Sequence, residues 1–170
     1  MEQVETFKAR WGRLLKFTTG LCVLLLVGMA IIGVFTGPRG SVVGVVWIVS
    51  MTVMPLLILA VAMFFLIRGY VLTENSLVVQ RLGWSSKLEL SDLRSAEADS
   101  KAMARSIRTC GNGGLFCFAG YFQNKKLGPY RAFATDPKKS VVLTFANRVI
   151  VVTPEHPEEF VAAIKNVRKL

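Results

Sequence analysis

Two long apolar stretches near the start of the chain are followed by a region in which apolar and polar residues alternate. No charged residue occurs from Phe17 to Gly37 or from Gly40 to Ile67. Each stretch exceeds the roughly 20 residues that an α-helix needs to cross a hydrocarbon core of about 30 Å. Because only a short Gly-Pro-Arg-Gly linker separates them, the pattern predicts a transmembrane hairpin with helices at about 17–37 and 41–67.

The first apolar stretch is expected to be a retained span, not a cleaved signal peptide. It is longer than a usual signal-peptide core, no A-x-A-like cleavage site follows, and a second span comes at once. Neither stretch contains Asp, Glu, Lys, Arg or His. Because such residues usually mark an ion or proton pathway, the pattern does not favour a channel or a pump.

The charges around the spans predict the orientation of the hairpin. The chain is 52% hydrophobic yet carries a net charge of +10. Lys8, Arg10, Arg13 and Lys16 precede the first span, whereas the hairpin turn holds Arg39 alone. The positive-inside bias therefore places both termini in the cytoplasm. The four leading cations are also candidate contacts for an anionic lipid or a partner.

Residues 1–16 form a basic juxtamembrane segment with helical spacing of its apolar residues. Val4, Phe7, Trp11 and Leu14 follow one another at intervals of three and four. This spacing favours an amphipathic helix at the membrane interface. An N-terminal extension of the first span, with Trp11 at headgroup depth, is the alternative.

Residues 68–170 are expected to form a cytoplasmic domain built mainly of strands. Alternating segments such as "YVLTENSLVVQRLGW" and "SVVLTFANRVIVVTP" predict about seven strands, with tight turns at Glu74-Asn75 and Asn147-Arg148. A helix is predicted to start near Pro157 with an apolar face. In the segment "DSKAMARSI", the spacing of Met103 and Ile107 favours a turn or two of helix, and an exposed crossover that carries Lys101, Arg105 and Arg108 is the alternative. The fold class is therefore α+β, a helical hairpin followed by a β-rich domain with a C-terminal helix.

The segment "RTCGNGGLFCFAGYF" is the strongest candidate for chemistry, and it does not support any. No Lys-Ser or Lys-Thr pair follows its glycines, so it lacks the features of a phosphate-binding loop. Cys110 and Cys117 are too few and too widely spaced for a structural zinc site. His156 has no nucleophile that the sequence pairs with it. We expect a tight turn leading into a strand, with no catalytic, metal or cofactor site and no enzyme activity.

Basic residues later in the chain suggest a binding surface. Lys125 and Lys126 follow "GYFQN", and Arg131 lies on the next predicted strand. These three residues are candidates for a groove that accepts an anionic lipid headgroup or an acidic peptide. Charge that only solubilises a hairpin tip is the alternative.

Four segments carry a resemblance to a known family. "GYVLTENSLVV" directly after a span, "GNGGLF" before a strand, "LGPYRAFATD" and "VIVVTPEHPEEFVAAI" together resemble bacterial pleckstrin-homology (PH)-like domains that follow two transmembrane helices. The resemblance covers about residues 66 to 167, and its most specific part is the Thr-Pro-x-x-Pro-x-x-Phe ending. It implies a curled antiparallel β-sandwich or barrel of about seven strands capped by a C-terminal helix, and no enzyme activity. Cys117 and the "FANR" turn depart from the family pattern.

The sequence therefore predicts a non-enzymatic protein of the bacterial cytoplasmic membrane. Its cytoplasmic domain, residues 68–170, which we call the head, would bind a protein or lipid partner at the inner face of that membrane. A structural or regulatory subunit of a membrane enzyme or transport complex is the alternative. The expected partners are the lipid bilayer and either another protein or further copies of the chain. Nucleic acid is not expected, because no basic helix with base-reading side chains is present.

Overall fold

A computed structural model describes residues 4–38 and 40–168. The helices are α1 (Arg13–Thr36), α2 (Val42–Ile48), α3 (Met54–Met63) and α4 (Pro157–Arg168), with a π-helical turn at Val49–Val53 and a short 3₁₀ turn at Pro137–Lys139. The strands are β1 (Glu5–Lys8), β2 (Ile67–Leu72), β3 (Ser76–Arg81), β4 (Ser85–Glu89), β5 (Leu93–Ala98), β6 (Ile107–Gly113), β7 (Phe118–Asn124), β8 (Gly128–Ala134), β9 (Val141–Phe145) and β10 (Val149–Val152).

The predicted apolar helices are present. The helices at residues 13–36 and 42–63 contain 18-residue windows with mean hydropathies of 2.4 and 2.5, and both are long enough to cross a membrane, by length and composition alone. The first begins at Arg13, four residues before the predicted start. The second ends at Met63, and Ile67, expected within the span, opens β2 instead.

Small residues let the two apolar helices pack closely. A Cβ atom on Gly33 would lie 2.6 Å from the Cβ of Met51, so the helices meet where α1 has no side chain. The Thr52 hydroxyl crosses to the other helix and donates a hydrogen bond to the carbonyl of Ala30 at 3.2 Å. The second helix widens into its π-helical turn just before Pro55, whose missing N–H removes a regular backbone hydrogen bond.

The predicted α+β fold is confirmed, with more strands than expected. One sheet has four strands in the order β1-β2-β3-β4, and the other has six in the order β5-β9-β10-β8-β7-β6. Neighbouring strands are antiparallel except β8 and β10, which run parallel. The ten strands in the described part of the chain exceed the predicted number partly because β1 comes from the N-terminal segment.

The C-terminal helix closes the core between the sheets, as predicted. Phe160 is fully buried and meets Phe7 edge to face with 4.9 Å between ring centroids. Tyr70 lies beside it, and its hydroxyl donates to the carbonyl of Phe133 at 2.6 Å and accepts from the N–H of Thr153 at 3.1 Å. Burial raises the pKa of Tyr70 to about 12, so this phenol stays neutral.

The expectation of an interfacial helix over residues 1–16 is wrong for residues 4–12. Residues 13–16 are helical and belong to α1, so the alternative of an N-terminal extension of the first span applies only from Arg13. Glu5–Lys8 forms β1 and pairs antiparallel with β2, with Phe7 opposite Tyr70. The N–H of Glu155 then donates to the carbonyl of Lys8 at 2.9 Å. Sheet pairing and burial of Phe7 and Ala9 in the core outweigh a helical periodicity that extends over only three turns.

We expect Phe160→Ala to lower the free energy of unfolding of the full chain by about 3–5 kcal/mol, because it removes a fully buried aromatic ring and leaves a cavity. Thermal unfolding of the detergent-solubilised protein, followed by circular dichroism, measures this loss. Asn166→Ala, at an exposed position of the same helix, is the control and should change stability by less than about 0.5 kcal/mol. Equal effects of the two variants would contradict the assignment of α4 to the core.

Candidate functional site

The glycine-rich segment forms the end of β6 and a tight turn into β7. The side chain of Asn112 closes the turn: its amide nitrogen donates to the carbonyl of Leu115 at 2.6 Å, and its oxygen accepts from the N–H groups of Gly114 and Leu115 at 3.2 and 3.0 Å. Gly114 has φ of +124°, which favours glycine. The prediction of a tight turn is confirmed, although Gly111–Gly113 belong to the strand before it.

This turn is attached to the start of α1. Thr19, which is buried, donates to the carbonyl of Gly114 at 3.1 Å and accepts from the N–H of Phe116 at 3.0 Å. Thr18 donates to the same carbonyl at 2.9 Å. One turn earlier, Leu15 is fully buried in the domain's second apolar cluster. The first turns of the first apolar helix are therefore part of the head.

The β6–β7 hairpin consequently has one end attached to the first apolar helix and an opposite end one strand length away. Gly114 contacts α1, whereas Asn124 closes the opposite end of β7. A strand of this length extends about 20 Å at roughly 3.3 Å per residue. We call the two ends the proximal end and the distal end.

A basic cleft of about 790 Å³ lies at the distal end. Lys125 and Lys126, in the turn after β7, face Lys101 and Arg105, which come from the segment between β5 and β6. The cleft is completed by Ala104, Ile107, Thr109, Gln123 and Asn124. Two elements distant in sequence therefore bring four cations together, which is an arrangement suited to an anionic ligand.

One carboxylate partly neutralises this basic cleft. Asp99 accepts a hydrogen bond from the ammonium group of Lys126 and another from the N–H of Lys101. The hydrogen bond from Lys126 holds the pKa of Asp99 below its usual range. No ion pair forms within the described residues at Lys101, Arg105 or Lys125, so these three charges are available to a ligand.

Arg131, predicted to share a groove with Lys125 and Lys126, lies at a different place. Its guanidinium carbon is 4.7 Å from the ring centroid of Phe133 and 5.8 Å from that of Tyr121. It lines a separate cavity with Arg148. The structure thus brings Lys125 and Lys126 together but not Arg131.

Sequence reasoning did not assign Lys101 and Arg105 to the site. Their segment was expected to contain a turn or two of helix, and it forms successive hydrogen-bonded turns instead. Arg105 has φ of +53°, a left-handed conformation that ends any helical continuation. The two cations of this segment, Lys101 and Arg105, lie within five residues of each other and were the only sequence signal that it contributes to the site.

The N-terminal candidates are divided between the head and the helix start. Lys8 is exposed on β1, and Arg10 forms an ion pair with Glu155 at 3.1 Å. Arg13 and Lys16 are exposed on the first turn of α1, where their charges flank the apolar helix. These four residues therefore do not form a single cluster with the distal cleft.

The cysteines and the histidine lie apart. Cys110 is exposed on β6, Cys117 is buried, and Cys22 is half-buried on α1. His156 is exposed, with Nδ1 at 3.9 Å from a carboxylate oxygen of Glu159. Within residues 4–38 and 40–168, no three His, Cys, Asp or Glu side chains are grouped as metal ligands.

Comparison with known proteins identifies a family. Residues 68–168 match the family model described as bacterial PH domain. No match was found among curated proteins or among solved structures. PH domains are protein- or lipid-binding modules, so the match points to binding as the role of the head.

We expect Thr19→Val to loosen the attachment of the turn to α1, because the N–H of Phe116 loses its acceptor while the side-chain volume is kept. Leaving a buried donor unsatisfied costs about 1–3 kcal/mol. Hydrogen–deuterium exchange should show faster exchange of the Phe116 amide. Thr36→Val is the matched control, since the Thr36 hydroxyl bonds only to its own helix at Ile32. Unchanged protection of Phe116 in Thr19→Val would show that the turn is held by other contacts.

Proposed function

Because the chain belongs to the bacterial PH domain family, we propose that it is a membrane-anchored, non-enzymatic binding protein of the bacterial cytoplasmic membrane. In this proposal its head recruits an acidic segment of a protein partner at the inner face. The observation that carries the proposal is the basic cleft of Lys101, Arg105, Lys125 and Lys126 at the distal end of the β6–β7 hairpin.

The position of the basic cleft favours a protein over the lipid headgroups of the same bilayer. The turn after β7 lies about 20 Å along the strand from the end that contacts α1. Screening at physiological ionic strength has a length of about 8 Å. In this proposal the β6–β7 hairpin points away from the bilayer, so the four cations lie beyond the screening length of the membrane surface and an acidic segment from the cytoplasm reaches them directly.

The strand next to the basic cleft offers a way to hold an extended segment. β6 is an edge of the six-stranded sheet, and each of its residues is exposed except the half-buried Asn112. The opposite edge, β5, is contacted by α4. A partner strand added along β6 would satisfy free backbone groups, and Lys101, Arg105 and Lys125 would then meet its acidic side chains.

The hairpin contributes orientation and local concentration in this proposal. Arg13 and Lys16 flank the start of α1, and Arg68 follows the second apolar helix. This distribution supports a cytoplasmic head by the positive-inside bias. A tethered module meets a membrane-associated partner at high effective concentration, so a modest intrinsic affinity is sufficient.

We expect a membrane-impermeant maleimide to label Cys110 in lysed cells and not in intact cells, because Cys110 is exposed on the head. A Cys22→Ala background restricts the reaction to Cys110 and Cys117. Burial raises the pKa of Cys117 to about 12, so its thiolate fraction at pH 9 is only about a thousandth. Because the thiolate is the form that reacts with maleimide, the buried Cys117 should contribute little and the exposed Cys110 should carry the label. Labelling of Cys110 in intact cells would place the head outside the cytoplasm.

We expect a photoreactive amino acid at Ile107, whose side chain is 73% exposed, to form a discrete adduct in native membranes. The same group at Lys87, exposed on β4, is the control and should not form it. Combined Lys101→Glu and Lys125→Glu substitutions should reduce the adduct at least about tenfold, since two attractions become repulsions. The matched charge control is Lys138→Glu combined with Lys165→Glu. It changes the net charge by the same amount at exposed positions outside the cleft.

Two outcomes of this crosslinking would contradict the proposal. Equal adduct formation at Ile107 and Lys87 would show that β6 is not the docking edge. An adduct of twice the chain's mass would identify a second copy of this chain at β6. Self-association would then take the place of the proposed acidic partner.

A further inference from the structure

An apolar groove lies between the second apolar helix and the proximal end of the β6–β7 hairpin. It has a volume of about 440 Å³. Its lining residues carry no charge: Leu57, Ile58, Val61, Ala62, Phe65, Gly111, Asn112 and Ala119. Leu57 lies six residues before the end of α3, which places it about 9 Å along the helix from that end. The groove therefore opens where a hairpin in a bilayer would meet acyl chains.

A buried arginine lies beside this groove without an anionic partner. Arg81, at the end of β3, is 7% exposed, and its Nε is buried with no hydrogen-bond partner. Among the described residues its guanidinium forms no ion pair, and it is surrounded by the rings of Trp84 at 4.1 Å, Phe133 at 5.3 Å and Phe65 at 5.7 Å. A buried cation that lies against aromatic rings, with no carboxylate paired to it among the described residues, is disposed to accept an anion.

The titratable groups around Arg81 do not supply that anion. The groups that act on it electrostatically are Cys117, Arg131 and Tyr70. Burial raises the pKa of Cys117 and of Tyr70 to about 12, so both are neutral at physiological pH. Arg131 adds a second positive charge. The positive potential at Arg81 is therefore not compensated by the residues that surround it.

Arg81 also faces an open cavity. This cavity, of about 340 Å³, is lined by Arg68, Gln80, Arg81, Leu82, Gly83, Trp84 and Ser85. Arg68 brings a second guanidinium to the same cavity and is exposed. Two arginines at one opening match the charge and the acceptor geometry of a phosphate group.

The apolar groove and the arginine cavity meet at Phe65. Phe65 lines the groove and packs edge to face on Trp84, with 5.8 Å between ring centroids. The Trp84 ring nitrogen donates to the carbonyl of Phe64 at 3.1 Å, which fixes the β3–β4 turn against the end of the apolar helix. Tryptophan is enriched at this depth of a membrane protein. Phe65 and Trp84 thus lie between the apolar groove and the arginine cavity.

We propose that this place is a binding site for one anionic phospholipid of the bilayer in which the hairpin lies. The phosphate binds Arg81 and Arg68, and one acyl chain occupies the groove of Leu57, Ile58, Val61 and Phe65. The site is separate from the distal basic cleft and does not depend on the proposed protein partner. The two arginines complement the negative charge of a lipid phosphate. The apolar groove is continuous with the bilayer in this proposal and accepts an acyl chain.

The test is lipid binding by the purified full chain in detergent, followed by native mass spectrometry. The probes are phosphatidylglycerol, phosphatidylcholine and inorganic phosphate. We expect one phosphatidylglycerol per chain, about tenfold weaker binding of phosphatidylcholine, and about tenfold weaker phosphatidylglycerol binding in Arg81→Gln. Arg81→Lys should bind with intermediate affinity, because a point charge replaces the planar fork. Arg148→Gln is the matched control, since Arg148 is exposed and stacks on Phe145 at 4.8 Å.

A second variant tests the groove and keeps the proposal falsifiable if Arg81→Gln does not fold. Val61→Trp fills the groove from a half-exposed position of α3 and should weaken phosphatidylglycerol binding with no change in the head's circular dichroism. Equal binding of the two lipids would overturn the proposal, as would unchanged binding in Val61→Trp. Competition by millimolar inorganic phosphate alone would show a simple anion site and overturn the role of the acyl chain.

Discussion

The hydrogen bonds between Thr19 and the β6–β7 turn join the β-rich domain to the first apolar helix. Thr19 satisfies both the carbonyl of Gly114 and the N–H of Phe116, and Leu15 is buried in the same domain one turn earlier. β1 adds a second attachment, because it joins the four-stranded sheet immediately before α1 begins. β1 precedes α1 and β2 follows α3, and these two strands pair in the four-stranded sheet. The two apolar helices are therefore connected to the head at both ends.

This attachment gives the two ends of the β6–β7 hairpin different surroundings. At the proximal end, glycine and alanine backbones face Leu57, Ile58 and Val61 in a groove that no charged residue lines, and Arg81 lies nearby against aromatic rings. At the distal end, lysines are exposed and partly balanced by Asp99. The same pair of strands thus presents an apolar surface to one helix and a polar cleft about 20 Å away. The attachment of the turn to α1 therefore places the apolar end of the hairpin, and not the polar end, beside the apolar helices.

The sequence predicted the elements whose signals are local. Both apolar helices, the turns at Glu74-Asn75 and Asn147-Arg148, and the amphipathic face of α4 follow from hydrophobic spacing and turn chemistry, and all are present. β1 was missed because Phe7 and Trp11 also fit a helical period, and only pairing with a strand about 60 residues later decides between the two. The basic cleft was half predicted: Lys125 and Lys126 are adjacent in sequence, but Lys101 and Arg105 join them only through the folding of the segment between β5 and β6. Arg81 gave no sequence signal, since its burial depends on rings from the helix end, the β3–β4 turn and β8.

The two cationic sites differ in the strength with which they should hold an anion, because they differ in solvation. The distal lysines are exposed, so each contact is screened by salt and exposed pairs contribute about 0–1 kcal/mol. Such a cleft needs several simultaneous contacts, which an extended acidic segment along β6 provides. Arg81 has already lost most of its water on folding, so an incoming phosphate meets a cation whose own desolvation cost is part of the folded state. This difference favours a small, permanently available ligand at the proximal site and a larger, reversible partner at the distal one.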